Sequence, residues 1–116
     1  MYEEKKSKFL AFHFDIQKRE DIDRILKELA VEHKKATHIC YAVVFSGDEY
    51  VCKCSDDGEP SGTAGRPILN VLEKQNKRGL VAVVRYFGGI KLGAGGLVRA
   101  YTKAAAGVLK EVKNAD

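Results

Sequence analysis

The chain has no tryptophan, one methionine and only two prolines in 116 residues. Both prolines fall in one segment. Pro60 punctuates a loop, and Pro67 must sit in the first turn of a helix, where a missing N–H does no harm. The three cysteines are an odd number without framework spacing, which excludes a disulfide scaffold. No apolar run approaches membrane-spanning length. The opening residues, MYEEKKSK, are charged and no apolar stretch follows them, so they do not read as a signal peptide. Low-complexity segments, internal repeats and linkers are also missing. The expectation is a single domain over residues 1–116, cytoplasmic, with reduced thiols.

Apolar residues make up 45% of the chain and charged residues 31%, the balance of an ordinary globular domain able to fold on its core alone. The formal charge is +4, a mild bias compatible with an acidic partner but too small to require one. Lysines and arginines bunch at Lys5, Lys6 and Lys8, at Lys34 and Lys35, and at Lys74, Lys77 and Arg78. Such bunches read first as solvated surface and second as nucleic-acid contacts.

Residues 8–14, KFLAFHF, alternate as a strand with Leu10, Phe12 and Phe14 on one face. In REDIDRILKELAVEH, Ile22, Ile25, Leu26 and Leu29 recur at helical spacing, with Glu20, Asp21 and Asp23 at the end where the helix dipole favours negative charge. Residues 39–46 and 50–54 form a hairpin about Gly47-Asp48-Glu49. A loop follows, SDDGEPSG, and then a helix starting near Ser61–Thr63, with either of those residues as its N-cap and Ile68, Val71 and Leu72 on its buried face. LVAVVRY is apolar on both faces and reads as a central strand covered by helices. After the glycine-rich FGGIKLGAGG comes a last helix, LVRAYTKAAAGVLKEV, whose Gly107 suggests close packing. The order β-α-β-β-α-β-α predicts an α+β two-layer sandwich: a four-stranded mixed sheet with the helices on one face.

Three segments have residues suited to chemistry. GGIKLGAGG (88–96) can offer free N–H groups to an anion, aided by Arg85, Lys91 and Arg99, or can simply make a tight strand-to-helix turn. It is not a dinucleotide fingerprint, because Gly93 and Gly95 are followed by Val98 where the third glycine belongs. SDDGEPSGTAGR (55–66) offers Asp56, Asp57 and Glu59 to a cation or to acid–base work, but its twelfth position from Asp56 is Pro67, which rules out an EF-hand. His38, Cys40, Cys52 and Cys54 share a sheet face if Ser46 pairs with Tyr50. Alternate strand positions lie about 7 Å apart, too far for compact zinc ligation. If the strands before the two glycine-bearing loops lie parallel and adjacent, Arg66, Arg85, Lys91 and Arg99 can meet Asp56, Asp57 and Glu59 at one end of the sheet. Such a cluster serves either as a recognition site or as internal salt bridging.

SDDGEPSGTAGRPIL (55–69), VVRYFGGIKLGAGGLVRAY (83–101) and KATHICYA (35–42) together resemble the IMPACT family, also called the YigZ family. The resemblance runs over the chain from KKSKF onward and implies the fold of a small-subunit ribosomal protein's second domain, including a left-handed βαβ crossover. Eukaryotic members regulate translation through a ribosome-associated activator and also associate with actin. The chain carries neither their N-terminal RWD domain nor the C-terminal ferredoxin-like domain of bacterial members, and so reads as a minimal member or an excised domain. The resemblance implies a non-enzymatic binding module that contacts RNA, the ribosome or a translation-associated protein, with no cofactor and no membrane. The alternative is an enzyme acting on an anionic small molecule through a metal held by SDDGE. The candidate surface residues are Asp56, Asp57, Glu59, Ser61, Thr63, Arg66, Arg85, Tyr86, Lys91, Gly93, Gly95, Arg99 and Tyr101. No feature of the sequence specifies an oligomeric state.

Overall fold

A computed structural model describes residues 1–47 and 49–113. The elements are β1 (Tyr2–Glu4), β2 (Ser7–Phe14), α1 (Arg19–Glu32), β3 (His38–Ser46), β4 (Tyr50–Ser55), α2 (Gly65–Lys74), β5 (Gly79–Tyr86) and α3 (Gly93–Leu109). The α+β class holds, with three corrections. The sheet has five strands in the order β1-β2-β5-β3-β4, not four. Every neighbouring pair is antiparallel, so the sheet is not mixed. The helices cover both faces.

The third correction follows from the strands themselves. On one face Val43, Phe45, Leu80 and Ala82 meet Ile22, Ile25 and Leu29 of α1. On the other, Cys40, Ala42, Val44, Val81 and Val83 meet Ile68, Leu69 and Leu72 of α2 and Leu97, Ala100 and Tyr101 of α3. Strands apolar on both faces need cover on both, and a single helical layer leaves one set wet. The hairpin register pairs Ser46 with Tyr50, as the alternation requires. Asp48 of its turn lies outside the described residues.

The chain makes two crossovers. The unit β2-α1-β3 spans β5, and the unit β4-α2-β5 spans β3. Between the two units the strand direction, the lateral step and the helix-bearing face are all reversed, and three reversals change the hand. One of the crossovers is therefore left-handed, a form found in only about 2% of such connections. β4 and β5 run parallel with one strand between them, so the loops that follow them emerge at the same end of the sheet.

β1 was not foreseen. It is joined to β2 by a two-residue turn with Lys5 at φ 48° and Lys6 at φ 68°, both left-handed. The turn lies against the loop after β5. A Cβ on Gly88 would come 2.1 Å from the Lys6 carbonyl, so no larger residue fits there. Gly107 is the opposite case. Among the described residues a Cβ there would meet nothing within 4 Å, and the close-packing reading of it is overturned. Gly88→Ala is expected to lower unfolding stability by about 1–3 kcal/mol through overpacking. Gly107→Ala is expected to raise it by about 0.5–1 kcal/mol through helix propensity. Urea unfolding of the two variants beside the parent checks both signs.

Candidate functional site

At the end of the sheet where β4 and β5 exit, the acidic loop folds back over β3. Asp56 does not face solvent as a ligand would. Its Oδ2 accepts from Gly62 N at 2.9 Å, and its Oδ1 accepts from Ala64 N at 3.1 Å and Gly65 N at 2.8 Å. α2 starts at Gly65 with Ala64 as N-cap and no capping side chain of its own, so neither Ser61 nor Thr63 caps it. Asp56 satisfies those orphan donors from outside the helix. Burial raises its pKa, but the three backbone bonds outweigh burial and hold it below the usual carboxylate value. The loop can reach back this far because Gly65 lies flush on Ser55, where a Cβ would come within 2.8 Å of backbone.

Asp57 is exposed but also engaged. Its Oδ2 accepts from Ile39 N at 2.7 Å, and its carbonyl lies 2.7 Å from His38 Nδ1. A carbonyl only accepts, so His38 Nδ1 carries the proton in that bond. The other ring nitrogen lies 3.4 Å from Glu59 Oε1. Asp57 at φ 41° and Gly58 at φ 87° form the tight turn that brings the loop onto the imidazole.

Glu59 is the centre of the arrangement. It is 7% exposed, Arg85 5% and Tyr101 0%. Arg85 Nη1 donates to Glu59 Oε2 at 2.7 Å, and the Tyr101 hydroxyl donates to the same oxygen at 2.5 Å. Arg85 Nη2 reaches the buried Ser7 Oγ at 3.3 Å, which also accepts from Gly88 N. The Arg85 guanidinium lies 5.5 Å from the ring centres of both Phe9 and Phe87, while its Nε has no hydrogen-bond partner among the described residues. Phe9 also meets Tyr101 edge-on at 5.2 Å. Breaking a buried pair of this kind by removing one partner costs about 3–5 kcal/mol.

Cys40 completes the cluster. Its Sγ donates to the Asp56 carbonyl at 3.0 Å and lies 3.4 Å from the Tyr101 hydroxyl. Burial, with smaller contributions from the neighbouring carboxylates, pushes its pKa up to about 12 against the lowering effect of Tyr101, so it stays a thiol and is no nucleophile. Tyr101 is likewise driven up, by burial first and then by Cys40 and Glu59, and stays a neutral hydroxyl.

The acidic turn and the glycine turn thus meet at one end of the sheet, but the space between them is filled. Glu59, Thr63, Arg85 and Tyr101 are not at the surface. Ser61, Arg66, Lys91, Gly93 and Gly95 are exposed, and exposed Arg99 pairs with Glu4 at 3.2 Å. Gly93 and Gly95 lie in the first turn of α3 rather than in a loop before it. Tyr86 does not join the cluster. It lies on the α1 face of the sheet, where its hydroxyl bonds His33 Nδ1 at 2.6 Å. Among the described residues no three His, Cys, Asp or Glu side chains are placed to hold a metal ion, since each carboxylate of the SDDGE loop has its own partner in a different direction. Cys52 and Cys54 are exposed, whereas Cys40 is buried. The sequence reading missed Ser7 and Phe87. The period-two alternation that puts Ser7 on the same face as Phe9 was the available sign for the first.

Comparison with known proteins gives a consistent result. The Impact N-terminal domain family model matches residues 5–109. IMPACT family member YvyE of Bacillus subtilis is 44% identical over 108 residues, 92% of this chain and 50% of that protein. An IMPACT family member of Haemophilus influenzae is 41% identical over 95% of this chain and 55% of its own. YigZ of Escherichia coli is 42% identical over 84% of this chain and 49% of its own. A crystal structure of a hypothetical protein superposes with a TM-score of 0.88 at 38% identity, over 97% of this chain and 56% of that one. The chain spans about half the length of these relatives.

Two outcomes are expected of the cluster. A thiol reagent labels Cys52 and Cys54 in the native protein and reaches Cys40 only on opening; Glu59→Ala speeds that third reaction, followed by mass spectrometry. Asp56 has a depressed pKa, so its contribution to stability is complete above the unfolded carboxylate value of about 3.9 and is lost as pH falls through the lower folded value. The advantage of the parent over Asp56→Asn is therefore full near neutral pH and shrinks in the acid limb of a denaturation–pH series.

Proposed function

The chain belongs to the IMPACT family, and from that premise we propose that it is a non-enzymatic cytoplasmic binding module linked to translation, making its contacts with RNA. The observation that carries this reading is an imbalance of charge at the surface. Of the acidic loop's carboxylates, Glu59 is buried, Asp56 bonds the start of α2, and Asp57, though exposed, bonds Ile39 N, while Lys5, Lys6, Lys8 and Lys91 are exposed with no ion-pair partner among the described residues. Glu3 stands opposite Lys8 in the β1–β2 register without closing an ion pair, and basic side chains not neutralised by ion pairing attract polyanions. Arg66, at the start of α2, adds a further exposed cation.

Absence of chemistry is argued from the same geometry. The polar groups most suited to a reaction, Cys40, Glu59 and Tyr101, are closed off and bonded to each other. No helix among the described residues is long and apolar enough to cross a membrane. The link to translation carries over from the family resemblance and from the kinship of the fold to a ribosomal protein domain.

Titration of a fluorescein-labelled oligouridylate by anisotropy, from low to physiological salt, tests the reading. The expected result is binding whose logarithm falls linearly with log salt, with a slope of about −0.7 for each phosphate contact on a single strand. No binding at low salt, or binding indifferent to salt, removes RNA as the partner.

A further inference from the structure

A groove of about 520 Å³ lies at the same end of the sheet as the buried cluster but largely on the α1 side, lined by Met1, Lys6, Lys8, Leu10, Tyr86 and Phe87. We propose that this groove seats an unstacked base of single-stranded RNA, with Lys6 and Lys8 on the flanking phosphates. The proposal rests on the RNA reading above and gives it a location.

Phe87 is 46% exposed. It is nevertheless held. Its N–H donates to Thr37 Oγ1 at 3.0 Å, and Thr37 N in turn donates to the Arg85 carbonyl at 2.8 Å. The next residue, Gly88, is bonded to Ser7 and pressed onto Lys6. The ring's inner neighbour is the buried Arg85 guanidinium. Backbone ties on both sides fix an apolar plate facing outward, so a ligand stacking on it orders little that is not already ordered. Tyr86 is held by its side chain, through the hydroxyl bond to His33 Nδ1.

The backbone that carries Lys6 is constrained too. The Lys5-Lys6 turn is left-handed at both residues, a conformation that costs a non-glycine residue energy. It is kept where a residue pair such as Asn-Gly would be the easier choice. The groove lining contains two ammonium groups and no carboxylate, and exposed Lys5 and Lys91 add positive charge at the same end of the sheet. A flat apolar ring beside positive charge matches a base and its phosphates. Duplex RNA hides its bases in the stack and leaves the ring without a partner. The volume falls within the range of about 300–1,000 Å³ typical of clefts for small ligands.

The test compares four proteins of verified thermal stability: parent, Phe87→Ala, Lys6→Gln/Lys8→Gln, and Lys74→Gln/Arg78→Gln. The last pair lies at the opposite end of β5. Oligouridylate and its duplex with oligoadenylate are titrated over a salt series. The proposal expects the single strand to bind more tightly than the duplex. Phe87→Ala should lower single-strand affinity roughly tenfold with the salt slope unchanged. The double lysine variant should flatten the slope by about 0.7 per lysine removed. The remote pair should bind as the parent does. If the parent binds RNA but the groove variants bind equally well, or the remote pair alone weakens binding, the groove assignment is wrong and the RNA reading stands. Equal displacement by polyglutamate at matched charge reduces the groove to a general anion surface and overturns the base seat. A parent that binds no RNA overturns both readings.

Discussion

Glu59 places a carboxylate where water has almost no access, and the end of the sheet is organised around compensating it. An unpaired carboxylate in that position is untenable, so one cation and one hydroxyl converge on a single oxygen. The compensating groups come from parts of the chain far apart in sequence: Arg85 from the central strand, Tyr101 from the last helix, and Ser7 from the first long strand, which supports the arginine. The acidic loop that bears Glu59 is therefore located by the sheet and the helix together. Its neighbouring residues take up whatever backbone donors that position leaves, Asp56 those of α2 and Asp57 that of β3.

This inward commitment also determines what remains outside. Of the three acids in the loop, Asp56 and Glu59 are spent on backbone and on arginine, and only Asp57 remains exposed. The lysine turn beside it has no such obligation. The polarity of the surface at this end is thus the reverse of the polarity of the motif, and a binding argument built on motif composition alone would select the wrong sign of ligand.

The sequence disclosed the elements better than their assembly. Alternation in KFLAFHF and ICYAVVFS and the helical spacing of Ile22, Ile25 and Leu29 were sufficient because each pattern is local. LVAVVRY, apolar on both sides, already pointed to two covered faces, and the one-layer assignment of helices did not follow that indication through. β1 escaped notice because it is three residues long and ends in a lysine pair rather than in glycine or asparagine, so no turn chemistry marked it. Arg85, Glu59 and Tyr101 were identified but assigned to the surface. Each is polar alone; only their mutual neutralisation allows burial, and that is a property of three-dimensional neighbours. Phe87 was passed over because a phenylalanine next to an apolar strand is ordinarily core, and nothing local shows that its backbone is tethered facing outward.

The two crossovers also have a mechanical meaning. Each leaves a gap one strand wide, and each gap is filled by a strand belonging to the other unit, β5 in the first and β3 in the second. The halves are interleaved like the teeth of a clasp, so neither possesses a contiguous sheet until both are present. Severing the polypeptide between β3 and β4 would yield two fragments, each missing the middle strand it must hydrogen-bond. Assembly is for this reason an all-or-none event for the whole domain, with no half capable of persisting as an autonomous folding intermediate.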